Sequence, residues 1–237
     1  VLFDALQHYD NVTCLMPMQI EGLSTTENGV DIFCHNKDIL KGKLLVAADG
    51  ANSWVRNQLA VDIKTWPYEQ SAIVANVRCE NAHQQTAWQR FLPTGPLAFL
   101  PLAEENSCSI VWSCESNKAE ALQALNDAEF NLALTQASAM PLGNIELLSQ
   151  RLSFPLVMRH IHQYVLPSVA FVGDAAHTIH PLAGQGANLG FADVKKLLEV
   201  ILLAQSRQKA INNFKYLRKY ERERKAEVSN MIMLMES

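Results

Sequence analysis

Residues able to do chemistry are concentrated between Gly173 and Gly190, in the stretch GDAAHTIHPLAGQGANLG. An apolar run, Val169-Ala170-Phe171-Val172, leads into it and reads as a buried strand that stops at Gly173-Asp174. Asp174, just past the strand, suits hydrogen bonds from sugar-type hydroxyls. Gly184 and Gly186 remove side chains where a ligand would lie against the backbone. Leu189, Val194, Leu197, Leu198, Ile201 and Leu202 then recur at helical steps. The turn therefore runs into a helix N-terminus, whose N–H groups and dipole favour negative charge. The chemistry implied is binding of an anionic or electron-rich cofactor. His177 and His180 beside Asp174 also raise a metal site, but no further ligands at suitable spacing accompany them, and no metal is expected. No Ser stands in a G-x-S-x-G elbow, so a nucleophilic triad is not expected either.

A second stretch, DGANSWVR from Asp49 to Arg56, follows another compact apolar run, Lys43 to Ala48. Asn52 or Ser53 caps a short helix carrying Val55 and Leu59. Taken with the first stretch, GDAAHxxxPxxGQGxNxG, this resembles the paired motifs of the single-component FAD-dependent aromatic hydroxylases. The wording HTIHPLAGQGANLG is closer still to the branch acting in ubiquinone biosynthesis. The resemblance implies that Asp174 binds the ribityl chain and that the Pro- and Gly-rich turn lies along the flavin ring. It also implies that the Asp-Gly motif touches the pyrophosphate side, with Arg56 as the anion contact. The implied FAD-binding set is Asp49, Gly50, Arg56, Gly173, Asp174, Pro181, Gly184, Gln185, Gly186, Ala187 and Asn188.

What the resemblance implies about activity is an FAD-dependent monooxygenase that hydroxylates the ring of a polyprenylated phenol or benzoquinol, with NAD(P)H as reductant and O₂ as the source of the oxygen. Two alternatives stay open. One is a flavin-dependent reductase or dehydrogenase of the same fold; the other is a non-catalytic fragment acting through protein contacts. No side chain stands out as a general base, so no catalytic residue is named.

The elements that must position these motifs read as an α/β (α+β) chain, with an incomplete Rossmann-like FAD domain around a mainly antiparallel substrate domain. Residues 1–69 form the middle segment of the FAD domain, 70–153 the substrate sheet, and 154–237 the C-terminal FAD segment. Before the Asp-Gly motif, strands are expected at 12–16, 19–25 and 30–35, with a turn at 38–42. In the substrate domain strands are expected at 71–79, 86–91, 97–100 and 107–114. One helix is expected over 118–140, then strands at 147–154 and 156–160. Trp88, Phe91, Phe99 and Trp112 are candidates for an aromatic pocket, although a plain core role is the simpler reading of each. The helix over 212–227 reads as a solvated charged face, with Lys215, Arg218, Lys219, Arg222, Arg224 and Lys225 against Glu221, Glu223 and Glu227. An approach surface for anionic lipid is its sharper alternative.

A net charge of −4 gives no reason to expect nucleic-acid binding, and 19% charged residues with 49% hydrophobic ones suit a globular core. The five cysteines are scattered, with no C-x-x-C, and read as reduced thiols. A cytoplasmic protein is expected, peripheral to the inner membrane if its substrate is prenylated. Both ends read as cut, and no G-x-G-x-x-G occurs, so the ADP half of FAD lacks its usual glycine-rich turn here. The 237-residue chain is accordingly expected to be colourless and inactive by itself, and to cover apolar surface by pairing with another copy.

Overall fold

The computed structural model describes residues 2–139, 142–179 and 185–236. In chain order these form α1 (Leu2–Leu6), β1 (Ile20–Thr26), β2 (Gly29–Cys34), β3 (Ile39–Gly42), β4 (Leu45–Ala47) and α2 (Trp54–Gln58). Next come β5 (Ile63–Cys79), β6 (Trp88–Leu92), β7 (Gly95–Pro101), β8 (Ser107–Glu115), α3 (Ser116–Ala124), α4 (Asp127–Ser138), β9 (Ile145–Leu147) and β10 (Leu152–Ile161). The chain continues through β11 (Val165–Leu166), β12 (Val169–Phe171), a 3₁₀ turn (Gly173–Ala175), β13 (His177–Thr178), α5 (Gln185–Ser206) and α6 (Phe214–Glu236). Two compact units divide it: Val1–Ile63 with Ile161–His177 and Ala187–Ser237, and Lys64–His160 with Thr178–Gly186.

In the first unit, β11, β12 and β4 form a small sheet in that order. β12 and β4 run parallel, Ala170 opposite Val46 and Phe171 opposite Ala47. Val169, Ala170 and Phe171 are fully buried, as a strand covered on both faces requires. They pack with Leu197 and Val200 of α5 and Leu217 and Tyr220 of α6. A separate meander, β1-β2-β3, turns at Glu27-Asn28, and Gly29, which opens β2 opposite Thr26, leaves no room for a side chain against the Gly42 carbonyl. The expected turn over 38–42 is instead strand β3, because Ile39 and Leu40 pair with Phe33 and Ile32. The reversal spans His35 to Asp38, where Asn36 accepts the Asp38 N–H and Lys37 takes a positive φ. Residues 12–16, expected as a strand, are irregular and exposed and join no sheet among the described residues.

The sheet of the second unit runs β10-β5-β8-β7-β6, with β9 also on β5. Its β5–β8, β8–β7 and β7–β6 pairings are all antiparallel. One face carries Ile73, Val77, Leu97, Phe99, Ile110 and Trp112 and packs on Leu122 of α3 and Phe130 and Leu134 of α4. The four aromatic candidates do not line one pocket. Phe99 and Trp112 are core, and Trp88, opposite Phe99, packs against it. Phe91 is 72% exposed, because side chains three apart on a strand point to opposite faces. The single helix expected over 118–140 is two. Asn126 caps α4, accepting the Glu129 N–H at 2.9 Å while the Glu129 carboxylate accepts the Asn126 N–H at 3.2 Å. That capping box ends one helix and starts another without Pro or Gly.

Candidate functional site

The two motifs meet at the carboxyl ends of neighbouring parallel strands. The β12–β4 ladder ends with the Val172 N–H donating to the Ala47 carbonyl at 3.0 Å. Asp49-Gly50 leaves one strand and Gly173-Asp174 the other. Ligands of open parallel sheets bind at this edge.

In the first turn Ser53, fully buried, caps α2 by accepting the Arg56 N–H at 3.0 Å. Asp49 accepts the Val55 N–H at 3.0 Å, so its carboxylate also sits on that helix N-terminus, where negative charge is favoured. Asp49 is otherwise exposed, and Gly50 adopts φ +83° with nothing within 4 Å of where a Cβ would stand. Arg56 is only 5% exposed. Its guanidinium donates to the Ala51 carbonyl at 2.8 Å and to the Ala175 carbonyl at 3.3 Å, tying the first turn to the second.

In the second turn Gly173 takes φ +58° and the Ala176 N–H closes on the Gly173 carbonyl at 2.8 Å. Asp174 projects from this turn and is exposed. Gly190 serves packing: a Cβ there would stand 3.4 Å from the Gly173 Cα, so α5 approaches the turn at backbone distance. Gln185 and Gly186 open α5, and a Cβ on Gly186 would meet nothing within 4 Å among the described residues. Ala187 and Asn188 are exposed on its first turn. Pro181 and Gly184, and His180 of the weighed metal pair, lie outside the described residues.

Sequence reasoning missed a buried cluster behind the second turn. Asp193 is 0% exposed, Arg224 1% and His177 2%. Asp193 Oδ1 accepts from Arg224 Nε at 2.6 Å; Oδ2 accepts the Gly173 N–H at 2.8 Å and lies 2.7 Å from His177 Nε2. Burial pushes the Asp193 carboxyl up, but the His177 ring, the Arg224 guanidinium and the Gly173 N–H together outweigh it and hold it below its ordinary range. The solvated face expected on α6 is corrected at two positions. Arg224 is spent on Asp193, and Glu221, 2% exposed, accepts the N–H groups of Tyr164 and Val165 at 2.8 and 3.2 Å. The signal was periodic: Leu217, Tyr220, Arg224 and Val228 form one buried stripe, and Leu189, Asp193, Leu197, Val200 and Ala204 another. A charged residue on such a stripe points into the core.

A family profile described as "FAD binding domain" matches residues 4–234. The chain is 38% identical over 232 residues to the 3-demethoxyubiquinol 3-hydroxylase of Escherichia coli (strain K12), covering 98% of this chain and 58% of that one. It is 37% identical over 229 residues to the mitochondrial ubiquinone biosynthesis monooxygenase COQ6 of Danio rerio, covering 82% and 47%. The chain thus spans about half the length of the curated relatives it matches. Among solved structures it superposes on PqsL, described as a probable FAD-dependent monooxygenase from Pseudomonas aeruginosa, with a TM-score of 0.77 at 23% identity, covering 94% of this chain and 63% of that one. The p-nitrophenol 4-monooxygenase PnpA of Pseudomonas putida DLL-E4 gives 0.70 at 19% identity, covering 92% and 55%. At these identities the solved structures speak to the fold.

Proposed function

This chain belongs to the FAD-binding-domain family, and from that premise we propose that it is part of a flavoprotein monooxygenase hydroxylating the aromatic ring of a polyprenylated phenol or benzoquinol in ubiquinone biosynthesis. The names and identities of the hydroxylase relatives support the substrate class. The observation that carries the reading is the adjacency of two turns at the carboxyl ends of β4 and β12, each with an exposed aspartate. FAD fits these residues. The backbone is open at Gly50, where a Cβ would meet none of the described atoms within 4 Å, and carboxylates stand ready for sugar-type hydroxyls.

Bound FAD supplies the electron transfer and oxygen activation that no side chain provides, with NAD(P)H as reductant and O₂ as the oxygen source. The chain's residues bind and orient. Asp174 would hold ribityl hydroxyls, and the Asp49-Gly50 turn would serve the pyrophosphate. Arg56 keeps the two turns in register, its guanidinium committed to the Ala51 and Ala175 carbonyls. The first α5 residues, Gln185 to Asn188, offer N–H groups and the positive end of the helix dipole. We assign the Asp49-Gly50 and Gly173-Asp174 turns of the first unit to the cofactor, and the sheet of the second unit to the aromatic substrate.

No helix among the described residues is long and apolar enough to cross a membrane. We place access to a prenylated substrate at a membrane surface or in a biosynthetic complex. The test is ¹⁸O₂ labelling with the full-length protein, FAD, NAD(P)H and a polyprenylated phenol. One labelled oxygen atom in the product is expected. A reduced or dehydrogenated product without label would replace this reading by the reductase one.

A further inference from the structure

The Asp193 cluster is unused by the binding and chemistry described above. A buried carboxylate is costly unless donors meet its lone pairs, and Asp193 gathers three donors from three places in the chain. Arg224 comes from α6, His177 from the residues after the turn, and the Gly173 N–H from the turn itself. The supporting groups are themselves held. Arg224 also donates to the Leu189 carbonyl at 3.4 Å and pairs with Glu227. The His177 ring stacks on Tyr164 with centroids 5.8 Å apart.

The Gly173 N–H is the informative partner. The strand ladder takes its last hydrogen bond at Val172, and Gly173, at φ +58°, has left the strand. A part-buried N–H that has left the ladder needs an acceptor, and Asp193 supplies it. The far side of the turn is pinned separately, by Arg56 on the Ala175 carbonyl. Asp174, between the two pins, is left exposed.

We propose that Asp193 is a positioning residue for the cofactor turn: its buried carboxylate, oriented by Arg224 and His177, fixes the Gly173 N–H so that Asp174 is already in place when FAD arrives. The depressed Asp193 carboxyl keeps this acceptor charged at neutral pH. The inference rests on the FAD reading of the turn.

Two double variants in the full-length protein separate this role from general packing. Arg224→Met removes the cation in both. Asp193→Asn keeps an oxygen for the Gly173 N–H, and Asp193→Ala does not. The Asn pair is expected to bind FAD within about tenfold of the unsubstituted protein, and the Ala pair about tenfold more weakly still, measured well below both melting temperatures. Equal dissociation constants for the two, or affinities that merely follow melting temperature, would overturn the proposal. Hydrogen exchange on the unsubstituted protein decides the matter if either variant fails to fold. The Gly173 amide is expected to be protected before FAD is added; protection that appears only with FAD would mean the cofactor builds the turn. Unsubstituted protein that takes up no FAD would overturn the reading of the site instead.

Discussion

At the residue scale the site rests on short-range geometry. Asp174 is an exposed carboxylate on a turn fixed from both sides. Asp174→Ala removes a charge-assisted hydrogen bond to a sugar hydroxyl, worth about 1.5–3 kcal/mol. FAD affinity in the full-length protein is expected to fall by about one to two orders of magnitude, with an unchanged melting temperature; an unchanged dissociation constant would reduce Asp174 to a turn former. The glycines divide by role. Gly186→Val places its Cβ where no described atom lies within 4 Å and is expected to fold normally but lose FAD, whereas Gly190→Val sets its Cβ in contact with the Gly173 Cα at 3.4 Å, so that its two methyls must find room beside that contact. The second variant is expected to cost about 1–3 kcal/mol of stability as an overpacked contact. Denaturant unfolding of both checks this, and equal stabilities would contradict it. The turn glycines were legible in the sequence as places for a ligand, but Gly190 was not legible as a packing residue. Only the fold brings α5 to within backbone distance of the turn.

At the element scale, strands with alternating or continuous apolar runs were readable because the period-two signal is local. The split between α3 and α4 went unread although its capping box, Asn126 with Glu129, stood in the sequence. The Asp193 cluster went unread for a different reason. Its members come from a turn and two helices, and Arg224 sits in a run of charges that looks solvated as composition. Read by helical period, its stripe with Leu217, Tyr220 and Val228 marks it as buried. The free cations on α6 are correspondingly fewer than the charge run suggests, since Arg218 pairs with Glu221 and Lys219 with Glu223. This weakens the lipid-approach reading of that helix. The clamp also sets an acid limit. The Asp193 carboxyl titrates below its ordinary 3.8 in the folded chain, so its stabilisation is complete above the unfolded value and is lost as pH falls through the folded one. Melting temperature is expected to fall more steeply as pH drops below the ordinary carboxylate range than in the Asp193→Asn/Arg224→Met variant, which lacks the group. Parallel slopes would contradict the assignment.

At the scale of the whole molecule, α5 has two faces. Leu189, Leu197 and Val200 are buried, while Phe191, Val194, Leu198 and Leu202 are 51–65% exposed in a stripe of the same period. The helical pattern read from the sequence mixed members of both. With Val46 of the edge strand β4 also exposed, the first unit presents apolar surface of the kind that mediates association. Light scattering on the 237-residue chain is expected to show a dimer that Leu198→Glu dissociates, and a monomer at all concentrations would contradict this. The central claim is that the ends of β4 and β12 hold FAD. Its most direct test is a titration of FAD into the full-length protein, unsubstituted and carrying Asp174→Ala, followed by the flavin absorbance between about 350 and 500 nm. The account expects a stoichiometric yellow complex that weakens sharply in the variant. A protein that takes up no FAD, or takes it up equally with and without Asp174, would contradict it.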